Sequence, residues 1–302
     1  MAAPNTIDRA FVTQWGRSVL MLAEQRGSKL LSTVQRAPVT GEAWTTERLG
    51  GTEAGEITNR HAPIEPTVLD HSRRWGYTNA YDRAVLIDNY DRVKTLLSFE
   101  SPYTQRVSNA MGRAMDVTII GALDATVRTG KNAESTQQLP SAQILGTSSE
   151  TNPISVARLL DAKLKFDQAD QEMGGLTWVC RPEDIRNLMA DFQATSADFQ
   201  NLKALVAGEV NTFLGMNIIW SNLIPTDNSR LVSFIYRTDA IEFGVAQEMS
   251  VTIDRRIDLR TQPWQAYAWG AWGAVRVEDN RVVKIFSNAQ TPVHAIRTLA
   301  VT

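Results

Sequence analysis

Ser101-Pro-Tyr-Thr-Gln-Arg-Val-Ser-Asn-Ala-Met-Gly-Arg-Ala-Met-Asp-Val-Thr-Ile-Ile-Gly-Ala-Leu-Asp-Ala-Thr-Val-Arg-Thr-Gly130 is the stretch from which the architecture is read. Ser101 is a good N-cap and Pro102 fits the first helical position. Tyr103, Val107, Ala110, Met111, Ala114, Met115, Ile119, Ala122 and Leu123 hold the helical period, and Gly130 supplies a stop. The spacing predicts one helix over 101–129, about 42 Å long at about 1.5 Å per residue. That is long for a globular domain and suits a strut.

Toward the N-terminus, Ile7, Phe11, Trp15, Val19 and Leu22 predict an amphipathic helix over 7–31, weakened by Gly16 and Gly27. Residues 41–80 change character. A polar stretch from Gly41 to Trp44 leads to a glycine-rich turn at 50–56, a proline-flanked run at 63–66 and an extended piece, Thr67–Trp75. They read as two arms of a long β-hairpin with too few large apolar residues to build a core. A long arm without a core usually packs on another chain or stays flexible. The alternative is an ordinary surface loop.

Toward the C-terminus, the Ser-, Thr- and Gln-rich residues 131–151 read as loop. Asn152-Pro153 repeats the cap-plus-proline device and opens a helix running to about Met173, stopped by Gly174-Gly175. Thr177–Cys180 reads as a short buried strand, and Arg181-Pro182-Glu183-Asp184 opens another helix with acids in its first turn. Phe213–Trp220 and Leu231–Tyr236 read as strands, so 152–240 alternates helix and strand. From Met249 to Arg260 apolar and polar residues alternate with period two, broken only at Arg255. Trp264, Tyr267, Trp269 and Trp272 follow among small spacers and read as core packing against a helix, with a ligand-stacking platform as the alternative. Val275–Val277 and Val282–Phe286 read as the arms of a tight hairpin. The fold class is α+β.

Composition narrows the function. The chain has 302 residues, 43% apolar and 21% charged, enough for about two domains or one large one and a sizeable core. A net charge of −2 argues against a strongly basic nucleic-acid binder. The single cysteine, Cys180, closes no disulfide within the chain and reads as a buried hydrophobe. No apolar run approaches the length of a membrane span, and the first residues carry no export core. The chain reads as a soluble protein folded in a reducing cytoplasm. Its three histidines, His61, His71 and His294, form no metal-ligand spacing. Gly130-Lys131 is followed by Asn132 and fails as a phosphate-binding loop. No nucleophile elbow and no dinucleotide fingerprint are present. No catalytic residue, cofactor or metal is expected.

The order of these elements resembles the major capsid proteins of tailed bacteriophages, the Hong Kong 97-like capsid fold. Ser72-Arg-Arg-Trp-Gly-Tyr-Thr with Tyr81–Asp88 looks like the returning arm of that family's extended loop. Ser101 through Gly130 looks like its spine helix, and Leu160–Gly175 with Trp178–Asp184 like its axial-domain helix and strand. Gly208-Glu-Val, then Phe213-Leu-Gly-Met, then Ile218-Ile and Ser221, is similar to a helix-to-strand passage of the family's axial domain. The resemblance implies an N-terminal arm with a helix at 1–40 and an extended loop at 41–80. It implies a peripheral domain at 81–150 holding the spine helix, an axial domain at 151–236, and a return through the peripheral β-sheet at 237–302.

The resemblance further implies hexamers and pentamers that tile an icosahedral shell around double-stranded DNA, assembled in the host bacterial cytoplasm. The partners it implies are other copies of the chain, a portal, a separate scaffolding protein and optionally a decoration protein. Only about 40 residues precede the extended loop, so no large N-terminal segment is expected to be cleaved. No Lys occurs between Lys29 and Lys94, so no loop-lysine crosslink is expected. Trp44, Arg48, Arg60, Arg73, Arg74 and Trp75 are the candidate subunit contacts, with Glu42, Glu47, Glu53, Glu56 and Glu65 as ion-pair partners. The same charges also read as plain solvated surface, because exposed pairs contribute little. An encapsulin-like cargo shell and an α/β enzyme without a recognisable motif are the alternatives.

Overall fold

A computed structural model describes residues 24–54, 56, 66, 68–87, 100–169, 174–190, 212–228 and 230–289. Most of the helix expected over 7–31 lies outside them. Its last part, from residue 24, is not helical, and Leu31–Thr33 forms a single 3-10 turn. Four strands follow: β1 (Gln35–Pro38), β2 (Ala43–Leu49), β3 (His71–Tyr77) and β4 (Asn79–Ile87).

The long helix is α1, Glu100–Asp124. Val107, Met111, Met115, Ile119 and Leu123 are buried along it at turn-by-turn spacing. It is shorter than its periodicity predicts. Val127–Thr129 is a strand, β5, which pairs antiparallel with β6 (Ser135–Gln137). Two causes stop the helix. Val127 and Thr129 are β-branched, and the Arg276 guanidinium takes the free carbonyls of Leu123 and Ala125 at 2.9 and 3.0 Å. Gly130, read as the helix stop, instead turns β5 toward β6 at φ 94°.

Residues 131–151 are more ordered than their composition suggests, with β6, a 3-10 turn at Ser141–Gln143 and β7 (Ile144–Leu145). Helix α2 (Val156–Gln168) is capped by Ser155, whose hydroxyl accepts from the Arg158 amide, rather than by Asn152. Then come β8 (Leu176–Cys180), α3 (Pro182–Ala190), β9 (Thr212–Phe213), β10 (Met216–Trp220) and β11 (Leu231–Arg237). The last strands are β12 (Ile241–Arg255), β13 (Trp264–Arg276) and β14 (Val282–Ser287).

Three sheets result. Their orders are β1-β12-β13-β4, β7-β14-β11-β8-β10-β9 and β2-β3-β5-β6. In the six-stranded sheet β10 runs parallel to β8, while β11 is antiparallel to both β8 and β14. Its core gathers Leu159 and Phe166 of α2 with Trp178, Ile218, Ile235 and Ile285.

The expected hairpin between 275 and 286 does not form. β13 and β14 belong to different sheets. The link between them is a 3-10 turn, Asp279–Arg281, pinned by the Arg276–Asp279 ion pair at 2.7 Å. Every residue of β14 is buried, the pattern of an inner strand covered on both faces rather than of a hairpin arm. The chain therefore ends its described course in the α/β sheet, not in the sheet of β12 and β13.

The chain divides into two compact units. The smaller comprises 1–27, 82–111 and 249–269. In it Glu24 pairs with Arg106 at 3.2 Å and accepts from the Asn109 amide at 2.9 Å. The period-two alternation after Met249 ends at Arg255. Residues 256–263 form the β12–β13 turn, closed by the Arg256 amide on the Pro263 carbonyl at 2.9 Å. Arg256 grips both oxygens of Asp258 there, at 2.7 and 2.6 Å. The larger unit comprises 28–81, 112–248 and 270–302 and holds the six-stranded sheet and the hairpin β2–β3.

Candidate assembly surface

β2 and β3 pair antiparallel over their full length, with Trp44 opposite Gly76, Thr46 opposite Arg74 and Glu47 opposite Arg73. The side chains near the root of this arm and those further out have different surroundings. The Trp44 indole fills a cradle of three glycines. A Cβ on Gly76 would stand 2.3 Å from the ring, one on Gly244 2.9 Å and one on Gly273 3.1 Å. Only glycine leaves that space for a flat aromatic ring. The Thr46 hydroxyl donates to Glu242, and the Trp75 indole N–H donates to the Gly130 carbonyl at 2.8 Å.

Arg74 is 3% exposed and its Nη2 meets the Asp279 carboxylate at 2.7 Å. Arg276, fully buried, holds the other oxygen of Asp279 at 2.7 Å and donates to the Leu123, Ala125 and Gln137 carbonyls. Two guanidiniums thus share one carboxylate. The surplus positive charge faces the carbonyl end of α1, where the helix dipole is negative.

Trp44, Arg74 and Trp75, read as subunit-contact candidates, are therefore engaged by their own chain at the root of the arm. Arg73 and Arg48 lie further out. Arg73 pairs with its cross-strand neighbour Glu47 at 2.5 Å, both substantially exposed, and half-buried Arg48 stands opposite Ser72. Arg60 lies outside the described residues.

Sequence reading missed Arg276, Asp279 and Asp116. The last is fully buried within α1, where it accepts from the Ser28 hydroxyl and from the Lys29 and Leu30 amides at 2.5 to 3.2 Å. Its signal in the sequence is an acid on an otherwise apolar helix stretch, Met115-Asp-Val-Thr-Ile-Ile120. Arg276 and Asp279 carry no comparable signal, since charged residues near a turn are usually solvated.

The larger unit has a cleft of about 390 Å³ with Asp124, Asp227 and Lys284 among its lining residues. The Lys284 ammonium is already neutralised by Asp124 at 2.7 Å. Among the described residues no cluster of His, Cys, Asp and Glu could hold a metal ion, and no helix is long and apolar enough to cross a membrane. Cys180 is fully buried, and loss of solvent, followed by the nearby Asp184 charge, pushes its thiol pKa well up. His71 is exposed.

Large apolar side chains remain uncovered at Leu49 on the arm, at Leu160 and Leu164 on successive turns of α2, and at Trp220 and Ile257. Buried roots and exposed apolar patches suit a subunit made to meet other subunits.

No curated protein matches the sequence. Solved structures do match it along nearly its whole length. The capsid structure of cyanophage P-SCSP1u superposes with a TM-score of 0.74 at 13% identity, covering 95% of this chain and 96% of that one. The capsid of cyanophage Pam1 gives 0.73 at 14% identity, covering 96% and 99%. The capsid of Ralstonia phage GP4 gives 0.71 at 13% identity, covering 97% and 99%. At such identities the likeness establishes the fold, a mixed α+β architecture shared with phage capsid subunits. The family model described as phage capsid protein matches residues 7–288, so the chain belongs to the phage capsid protein family and is a structural protein of the bacteriophage capsid.

Proposed function

We propose that the chain is the major capsid subunit of a tailed phage, built on the Hong Kong 97-like plan and assembling into hexamers and pentamers of an icosahedral shell around double-stranded DNA. The observation that carries this reading is the full-length superposition on capsid subunits, with both chains covered over 95% and 96% in the P-SCSP1u match. In this reading 41–80 is the extended loop, α1 the spine helix, and 151–236 with its sheet and α2 the core of the axial domain. A near-neutral net charge fits a container that must hold DNA and release it. The absence of lysine between 29 and 94 fits a shell held by buried area and ion pairs rather than by loop-lysine crosslinks. Among the candidate arm residues that are described, Arg48 and Arg73 are free to meet a neighbouring copy. A separate scaffolding protein and a portal, with a decoration protein as an optional addition, are the further partners, and assembly takes place in the host cytoplasm.

Electron microscopy of the purified protein, alone and co-expressed with its genomic neighbours, tests the reading. Closed shells of uniform size, or isolated hexamers and pentamers, are the expected result. A discrete monomer or dimer under every condition would overturn it.

A further inference from the structure

We propose that Asp279 is an angle-setting pin: by holding Arg74 of the arm and Arg276 of the body together, it fixes the direction in which the β2–β3 arm leaves the subunit, and so the geometry of the shell. This inference rests on the shell reading above.

The arm is a lever. Its strands β2 and β3 are paired from Ala43–Tyr77 at the root to Leu49–His71. At about 3.4 Å per residue that is a reach of about 20 Å, so a rotation of about 5° at the root moves the far end by about 2 Å. A shift of that size is enough to unmake the side-chain contacts by which close-packed surfaces recognise each other.

Every contact from the arm to the rest of the larger unit that has been described lies in the root half. Strand β3 pairs with β5 at Arg74–Thr129 and Trp75–Arg128, Trp44 sits on Gly244 and Gly273, Thr46 donates to Glu242, Trp75 donates to Gly130, and Arg74 meets Asp279. In the outer half the Glu47–Arg73 pair and the bond from the Gly50 amide to the Asp70 carbonyl join the arm only to itself.

Asp279 differs from the other root contacts in what lies behind it. It sits in the turn linking β13 to β14, and its second oxygen is held by Arg276. Arg276 in turn grips the end of α1 and the carbonyl of Gln137 in β6. One carboxylate therefore ties Arg74 to the end of α1, to β6 of the arm's own sheet and to the turn between β13 and β14. On the arm side the link to Asp279 is a single point: Arg74 Nη1 is buried and unpartnered, so among the described residues Nη2 on Asp279 is the only hydrogen bond its guanidinium makes. Removing the Arg74 guanidinium takes away the arm's tie to Asp279 but leaves the β3–β5 pairing in place and leaves Arg276 with Asp279 and its three carbonyls. Removing Asp279 strands two buried guanidiniums, which disturbs the body as well.

The test compares wild type, Arg74→Met, Arg74→Lys and the exposed control Arg73→Met under conditions in which wild type forms shells. Particle diameters are read by electron microscopy, and amide exchange of 43–49 and 71–77 by mass spectrometry. Arg74→Met is expected to keep the wild-type circular dichroism spectrum and to exchange about tenfold faster in the arm, the factor that a lost charged hydrogen bond of about 1.4 kcal/mol gives. Its shells are expected to be irregular or broadly distributed in diameter. Arg74→Lys keeps the charge but not the fork, and should fall between it and wild type. Arg73→Met should match wild type.

Shells of wild-type diameter and spread from Arg74→Met overturn the proposal. If Arg74→Met does not fold, wild-type shells from Arg74→Lys overturn it instead. Failure of wild type itself to form any shell would overturn the shell reading, and this inference with it.

Discussion

The ring of Tyr81 lies flat on that of Trp272, with centroids 4.7 Å apart and planes inclined by 11°. Trp272 is fully buried in β13, and Tyr81 lies half-buried in β4, where its hydroxyl accepts from Thr118 of α1 at 3.3 Å. The stack thus joins strand β4 to strand β13 and, through the hydroxyl, to the helix. Trp272→Ala should cost about 3–5 kcal/mol of stability, as aromatic truncations in cores do. A double-mutant cycle with Tyr81→Leu and Trp272→Leu should return a coupling of about 0.5–1.5 kcal/mol for the ring pair itself. Denaturant midpoints of the four proteins read both quantities, and a coupling of zero would show that the rings are neighbours without a specific pair term.

The three glycines under Trp44 are expected to differ in tolerance. A Cβ on Gly273 would collide with the Tyr77 carbonyl, which is backbone and has little freedom to move, whereas the three atoms nearest to one on Gly76 all belong to the Trp44 side chain. Gly273→Ala should therefore destabilise more than Gly76→Ala. Adding Trp44→Leu should rescue more of the Gly76→Ala loss than of the Gly273→Ala loss, where the 1.9 Å collision with the Tyr77 carbonyl remains. Thermal unfolding of the single and double variants checks the order, and equal rescue at both sites would contradict it.

Asp184 carries a pH dependence whose sign is fixed by its burial. It is fully buried at the start of α3, with the Ser287 hydroxyl donating to Oδ1 at 2.6 Å and Oδ2 unpartnered. Desolvation, only partly offset by the Ser287 bond, raises its pKa from 3.8 to about 6. The folded state therefore holds the proton more tightly than the unfolded one. Its stabilising contribution is complete below 3.8 and is lost as pH rises to about 6. Asp184→Asn, which keeps an acceptor for Ser287, should gain stability relative to wild type across that window and hold a constant advantage above it. Paired unfolding curves at pH 4.5 and 7.5 read the difference, and an advantage that shrinks at the higher pH would show the sign to be wrong.

Cys180 should be silent in the folded protein. Its side chain has no solvent exposure and its thiol is held neutral by desolvation and by Asp184. A maleimide reagent at pH 7.5 should label it only on addition of denaturant. Rapid labelling of the native subunit would mean that β8 opens locally.

The legibility of the chain follows the range of the forces involved. The helix from Ser101 was readable because its apolar period and cap-plus-proline start are local, and α1 begins at Glu100. The buried strand around Trp178 was readable because an apolar run bounded by Gly174-Gly175 and Pro182 leaves little choice, and all five residues of β8 are buried. The hairpin expected across 275–286 was misread for the complementary reason. Local spacing allows it, and only the distant partners of Arg276 and β14 forbid it. The same holds at the candidate surface. Trp44 and Arg74 looked like surface residues of a polar arm, and nothing adjacent in sequence signals Gly244, Gly273 or Asp279.

By itself, then, the sequence determined the α+β class, the long helix, the absence of recognisable catalytic motifs and the resemblance to phage capsid proteins. These rest on residue types and on spacings of a few positions, where helical and strand periodicity act. The tertiary structure alone decided where α1 stops, which sheet takes the last strand, and which arm side chains are spent on their own chain. Those outcomes depend on burial and on ion pairs between residues as far apart as Arg74 and Asp279. A charge that looks solvated in the sequence becomes structural only when the fold removes the water and supplies its counter-ion.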